Sequence, residues 1–330
     1  MCDTYMVDAI GCDVITYRMN YAGCVIRSYS SIDLDGLARL RMEVEPAESS
    51  GVPVTPQSVA EALCRPGYVP ETNLFVVENI HGHIVGYVDV FAELSIGRVV
   101  LSGLVHPAYR GRGMSKALFH CAMRRISELG GANTHVAVAE DDTVAVALLR
   151  SLGFCSVRRY LELGIVLDAL NSPNGECCGC VLRCPCPGEE RDLAEVQNDC
   201  FTGSWGFAPN TVEEITYRLE QPGRSLKHVV IAYDGDRPVA YCWTERYPRL
   251  GVIKGPKMGR VHMLGVVPDY RGKGLGRQVL LAGLHLLERK GVRVVELTVD
   301  SENQVACSLY RSMGFTQRSA SLWFEKYIHD

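Results

Sequence analysis

Val266-Val-Pro-Asp-Tyr-Arg-Gly-Lys-Gly-Leu-Gly-Arg277 joins an apolar run ending at Val267 to a long apolar-periodic segment, Gln278 to Lys290. The pattern predicts a strand, a glycine-rich turn and the start of a helix. No Ser or Thr follows Lys273, so the turn is not a Walker loop, and its glycines are not spaced as a dinucleotide fingerprint requires. What remains is Arg-x-x-Gly-x-Gly, made of Arg271, Gly274 and Gly276. Glycines let backbone approach an anion closely, and a new helix offers unpaired N–H groups and the positive end of its dipole. Arg271, Lys273 and Arg277 add charge complementary to a pyrophosphate.

The same stretch occurs twice. Val105-His-Pro-Ala-Tyr-Arg-Gly-Arg-Gly-Met-Ser115 places Pro107, Tyr109, Arg110, Gly111 and Gly113 against Pro268, Tyr270, Arg271, Gly272 and Gly274. The offset, 271 − 110, is 161 residues, and it persists downstream. Leu148-Leu-Arg-Ser-Leu-Gly-Phe154 matches Leu309-Tyr-Arg-Ser-Met-Gly-Phe315, and Gly130 matches Gly291. An ungapped match over about 45 residues is an internal duplication, which takes precedence over any element-by-element reading.

On these loops and the segments after them, the chain resembles the GNAT acyltransferases. The resemblance implies an α/β (α+β) protein of two tandem GNAT-fold domains, each a mixed, mostly antiparallel central sheet flanked by helices. The expected limits are an N-terminal extension 1–22, a degenerate domain 23–170, a linker 171–178 and a catalytic domain 179–330. Asp168-Ala-Leu-Asn-Ser-Pro-Asn-Gly175 has the turn-rich composition of a linker. Element order by itself gives an α/β or α+β sheet with helices on both faces in each half: strands alternate with helices, with hairpin turns at His81-Gly82 and Asp234-Gly-Asp236. After the helix 142–152, two strands are expected up to about Leu167.

Composition bounds the function. A chain of 330 residues suits two domains, and 47% hydrophobic with 22% charged residues gives each a core. A net charge of −4 supplies no basic field for nucleic acid and no bias towards an anionic membrane. No apolar run approaches a membrane span, and residues 1–23 lack a signal-peptide pattern, so the expected location is cytoplasmic. Fourteen cysteines, mostly within apolar segments, suit a reducing compartment. Cys177-Cys-Gly-Cys180 followed by Cys184-Pro-Cys186 admits two readings, a zinc site or a strand from Gly179 to Cys186 that would splay its thiols to opposite faces.

The resemblance also assigns roles. Coenzyme A contacts fall on Leu264, Gly265 and Val266 of the strand and on the loop Arg271, Gly272, Lys273, Gly274, Leu275, Gly276 and Arg277. Backbone amides of the strand would hold the thioester carbonyl, an oxyanion-type contribution. Asn303, at a helix start, would place the cofactor arm. Tyr310, seven residues on and so on the same face, would protonate the leaving sulfur. For the general base the candidates are His262 and Glu245, because Arg260 stands where several family members carry Glu. Trp205 and Phe207, in Phe201-Thr-Gly-Ser-Trp-Gly-Phe207, would line the acceptor pocket. The N-terminal half departs at the matching positions, with Ser115, Asp142 and Leu149 in place of Gly276, Asn303 and Tyr310. The expectation is therefore transfer from acetyl-CoA to a small-molecule primary amine in the C-terminal domain of a monomer or homodimer, with no metal. Transfer to a peptide amine, or CoA binding without catalysis, are the alternatives.

Overall fold

A computed structural model describes residues 17–44, 54–131, 133–167, 179–221, 223–247 and 257–328. In chain order the strands are β1 (Arg18–Tyr21), β2 (Cys24–Ser28), β3 (Leu74–Asn79), β4 (Ile84–Glu93), β5 (Arg98–Val105), β6 (Asn133–Ala139) and β7 (Cys155–Val166). They continue with β8 (Val181–Arg183), β9 (Val229–Asp234), β10 (Arg237–Arg246), β11 (Met258–Val266), β12 (Val294–Asp300) and β13 (Thr316–Tyr327). The principal helices are α1 (Leu34–Val44), α2 (Pro56–Leu63), α3 (Met114–Glu128) and α4 (Thr143–Ser151), followed by α5 (Glu190–Phe201), α6 (Val212–Glu220), α7 (Leu275–Arg289) and α8 (Gln304–Ser312). The repeat offset of 161 holds for α3 and α7, β6 and β12, α4 and α8, and β7 and β13.

The chain folds as two compact units. One comprises Met1–Ala137, Ala147–Val157 and Trp323–Asp330; the other comprises Val138–Val146 and Arg158–Leu322. The first unit orders its strands β1-β2-β3-β4-β5-β6. β3 is buried on both faces, as its unbroken Leu-Phe-Val-Val run requires. Phe75 and Val77 join a core with Ala117, Leu118 and Ile126 of α3, while Leu74 and Val76 join one with Leu37 and Leu40 of α1 and Val59 of α2. The second unit orders its strands β8-β9-β10-β11-β12-β7. One core gathers Leu193 and Val196 of α5, Val279, Leu284 and Leu287 of α7, and Val295 and Leu297 of β12. Leu161 and Leu163 of β7 join it, so the first repeat's last strand completes the second unit's core. In both units the pairings are antiparallel except β5–β6 and β11–β12.

Three expectations change. Arg18–Tyr21, assigned to the extension, is a strand paired with β2 through Tyr21↔Cys24. In place of two strands before the linker there is one of twelve residues, β7, whose pairing with β12 runs without interruption from Val166↔Val294 to Asp300↔Tyr160. The strand expected from Gly179 to Cys186 shrinks to Val181–Arg183. Linker 171–178, with Cys177 and Cys178, lies outside the described residues, as do residues 1–16 of the extension. Among the described residues no group of His, Cys, Asp and Glu is placed to hold a metal, and no helix is long and apolar enough to cross a membrane.

Candidate active site

The glycine loop of the second unit hangs from a strand pair that comes apart. β11 pairs with β12 only from Met258↔Val294 to Val261↔Leu297. Beyond that point β12 stays with β7 while β11 stays with β10, so a wedge opens beside Met263 to Val266. The backbone N–H groups of Leu264 and Val266 turn to the wedge side, away from β10, while the Val266 carbonyl is taken by Arg271 Nε. At its mouth Gly272 and Gly274 adopt φ of +75° and +83°, a left-handed conformation that disfavours other residues. An added Cβ at either glycine would meet no atom within 4 Å, so the space is open. α7 begins at Leu275, and its first free N–H groups face the loop, the arrangement expected of a phosphate cradle.

Individual residues of this loop differ from expectation in what their side chains do. Arg271 donates from Nε to the Val266 carbonyl (3.0 Å) and from Nη2 to the Cys200 carbonyl (3.0 Å), so its guanidinium staples the loop to β11 and α5. Leu275 is 1% exposed with its side chain in the core, leaving only its N–H for a ligand. Gly265 has a packing reason: a Cβ there would lie 2.7 Å from the Cys200 Cβ and 2.9 Å from the Tyr241 ring. Lys273 sits over the Tyr270 ring at 4.7 Å, and Arg277 donates to the Ser312 hydroxyl at 3.2 Å.

The first unit keeps the wedge, with β5–β6 pairing ending at Leu101↔Val136, and keeps the staple, Arg110 Nε to the Val105 carbonyl at 3.1 Å. Its loop is not open, however. The space over Gly113 is taken by the Tyr21 side chain, whose hydroxyl would lie 2.3 Å from an added Cβ.

His262 owes its placement to an irregularity. β10 pairs Trp243 with Met263 and Thr244 with Val261, so His262 is the extra residue of a β-bulge. The first repeat has no counterpart, since β4 and β5 pair regularly throughout. Bulges re-aim side chains and cluster beside active sites. Here the imidazole turns towards Glu245, with Nδ1 3.1 Å from Oε1, and lies edge-on to Trp243 at 4.9 Å. Glu245 is 7% exposed and also pairs with Arg224 Nε at 2.8 Å. Burial pushes its carboxyl up, opposed by Arg224 and Arg260. Burial holds His262 well below the usual imidazole value, and Arg224, Arg218 and Arg260 push it further down. The two candidate bases thus lie side by side, the imidazole held neutral by burial and its Nδ1 3.1 Å from the Glu245 carboxyl oxygen. Arg224, from the turn after α6, had no signal in the sequence.

Tyr310 is 6% exposed and packs edge-on against Phe315 at 5.8 Å. Burial, with the Cys242 and Cys307 thiols nearby, raises its phenol above the ordinary value, so it stays protonated. Asn303 caps α8, its Oδ1 accepting from Ala306 N–H at 3.0 Å, and Asp142 caps α4 in the same way through Ala145 N–H at 2.9 Å. The Asn-to-Asp difference therefore preserves a cap, leaving the Asn303 amide as the group a cofactor could use. Trp205 stands against Tyr160 of β7 at 6.4 Å, with Arg158 5.6 Å above its ring, while Phe207 packs on Phe201 at 5.6 Å. Asn198 of α5 holds their loop, donating to the Asn210 carbonyl (3.0 Å) and accepting from Asn210 N–H (2.9 Å).

Comparison with known proteins agrees with this architecture. The model of the acetyltransferase (GNAT) family matches residues 40–154 and 191–315, one stretch per repeat and most of the chain together. The chain is 30% identical over 222 residues to the mycothiol acetyltransferase of Pseudarthrobacter chlorophenolicus, covering 66% of this chain and 67% of the relative. With the mycothiol acetyltransferase of Amycolatopsis mediterranei it shares 26% over 303 residues, covering 88% and 99%. In fold it resembles a GCN5-related N-acetyltransferase from Sphaerobacter thermophilus, with a TM-score of 0.73, 22% identity and coverage of 94% and 97%. A tandem GNAT protein from the clavulanic acid biosynthesis pathway superposes with a TM-score of 0.67 at 16% identity, covering 92% and 98%. With two matched repeats, two glycine loops and two splayed strand pairs, the chain belongs to the GNAT acetyltransferase family as a tandem N-acetyltransferase.

Proposed function

We propose that the second unit transfers an acetyl group from acetyl-CoA to the primary amine of a small molecule by direct attack within a ternary complex. The observation that carries this reading is the open wedge between β11 and β12 flanked by the His262–Glu245 pair on the bulge of the same strand. The loop suits a pyrophosphate, since nothing occupies the space over Gly272 and Gly274 and α7 starts there. A thioester bound in the wedge supplies an activated carbonyl; the amides of Leu264 and Val266 hold its oxygen as charge develops. The amine nitrogen forms a bond to the carbonyl carbon and the carbon–sulfur bond breaks. His262 Nε2 takes the proton shed by the nitrogen, directly or through water, and Glu245 fixes the imidazole and balances its charge. Tyr310, kept protonated by burial, gives its hydroxyl proton to the departing sulfur. Arg260, in place of the usual carboxylate, leaves the base role to this pair. The named relatives favour an acceptor of the mycothiol type.

Calorimetric titration of acetyl-CoA into the wild type and Gly274→Glu, followed by a mass-detected screen of amines, tests this. One binding site abolished by Gly274→Glu, together with an N-acetylated product, is the expected result. Binding without transfer to any amine would support a CoA-binding regulator instead, and absence of binding would end the acyltransferase reading.

A further inference from the structure

We propose that β7, the last strand of the first repeat, supplies a recognition carboxylate for the acceptor, Glu162, which holds a second polar group of an elongated amine. The inference rests on the acetyl-transfer reading of the site and deepens it by naming the acceptor's class. From the His262–Glu245 pair a row of polar side chains runs across four strands on one face of the second unit. Arg260 lies opposite Glu245 across β10–β11 and opposite Glu296 across β11–β12. It donates to the Thr298 hydroxyl, which in turn donates to Glu162 Oε1 at 2.7 Å. Thr298 and Glu162 are direct cross-strand partners on β12 and β7. On the other face the alternate residues Leu161, Leu163, Val295 and Leu297 are all core, so the row belongs to the surface side of a well-anchored pair of strands.

Glu162 is not satisfied by this row. Its Oε2 lies 3.9 Å from Arg260 Nη2, too far for a hydrogen bond, and the side chain is 34% exposed. Arg260 faces Glu162 and Glu245, and Glu296 faces both Arg260 and Arg318, so what Glu162 offers a cation or a hydroxyl donor is its Oε2, which lacks a hydrogen bond. One step along β7, Tyr160 meets Trp205, which closes that end of the row from the α5–α6 loop. Strand interiors disfavour Glu, and a purely structural surface would not need an open carboxylate at this place. β7 lies two strand spacings from β11 where the strands pair, and Glu162 lies past that point beside the wedge, so the separation is at least roughly 10 Å. The acceptor is therefore an amine whose second hydrogen-bond donor, amino or hydroxyl, sits at least that far from the attacking nitrogen.

The test measures acetyl transfer from acetyl-CoA to α,ω-diaminooctane, the matching ω-amino alcohol and n-octylamine, in the full chain and in Glu162→Gln. The expected wild type prefers the two bifunctional amines. In Glu162→Gln their KM should rise about tenfold, the worth of one charge-assisted hydrogen bond. KM for acetyl-CoA, kcat and the octylamine values should hold. Glu162→Asp, which keeps the charge, should recover part of the preference. If the variant and the wild type handle all three amines alike, or if octylamine suffers as much as the diamine, the proposal falls while the transferase reading stands. If acetyl-CoA binds and neither protein acetylates any amine, both fall.

Discussion

Tyr310 and His262 are where the chemistry is most exposed to test. Replacing Tyr310 by Phe keeps the ring against Phe315 and deletes only the hydroxyl proposed as the acid, so folding should be intact and kcat should drop about a hundredfold, with KM for acetyl-CoA unchanged. Full activity in that variant would remove the acid role. His262 gives a pH signature. Its native pKa lies well below 6.5, whereas the unfolded chain takes up a proton near 6.5. The unfolded state thus binds more protons, so His262's contribution to stability is complete above pH 6.5 and is lost as the pH falls below it. Activity should follow the same sign, with kcat/KM flat from pH 8 to 6.5 and declining only below. An acid limb centred above 6.5 would assign the proton to another group. In His262→Gln the limb should vanish and kcat/KM should fall at every pH. At this scale the reading of the sequence was uneven. Tyr310 was singled out by its distance from Asn303 and Phe315, and its burial and raised phenol pKa are what the fold adds. His262 and Glu245 read as rivals, because only the fold brings a strand end at 245 to a bulge at 262.

The bulge is the smallest element that separates the two repeats. From the glycine loops to the last strands every matched element keeps the 161-residue offset, but Val261 pairs as Leu101 does, at 160. The second repeat is one residue longer than the first here, and the extra residue is His262. Deleting His262 should give β11 the regular pairing of β5 and leave the wedge, which the first unit forms without a bulge. Acetyl-CoA should then bind within a few-fold of wild type by calorimetry while transfer is lost. Loss of binding would show instead that the bulge opens the wedge. Periodicity revealed strands and helices well, since β5, α3 and α7 sit where apolar spacing put them. It was silent on the bulge, which costs one residue in a strand that otherwise alternates. It was equally silent on Tyr21, because contact between a residue near position 20 and a loop at 113 leaves no local pattern.

For the whole molecule, the question is what the first unit does. With Tyr21 over Gly113, the chain should bind one acetyl-CoA, and Tyr21→Ala should open a second, weaker site with Ser115 and Asp142 still in place. Two sites in the wild type would show that the tyrosine yields to a ligand. The domain limits read from composition separate the repeats at a linker, but the compact units trade strands: Arg158–Val166 belongs to the second and Trp323–Tyr327 to the first. Glu325 there accepts from Asn133 Nδ2 at 2.8 Å and meets His135 Nε2 at 3.0 Å. That exchange sets the order of events at the ribosome. The first unit cannot finish its sheet when its own repeat has been made; it must wait, with β6 uncovered, until residues beyond 322 emerge. The second can finish first, because its borrowed strand is already synthesised.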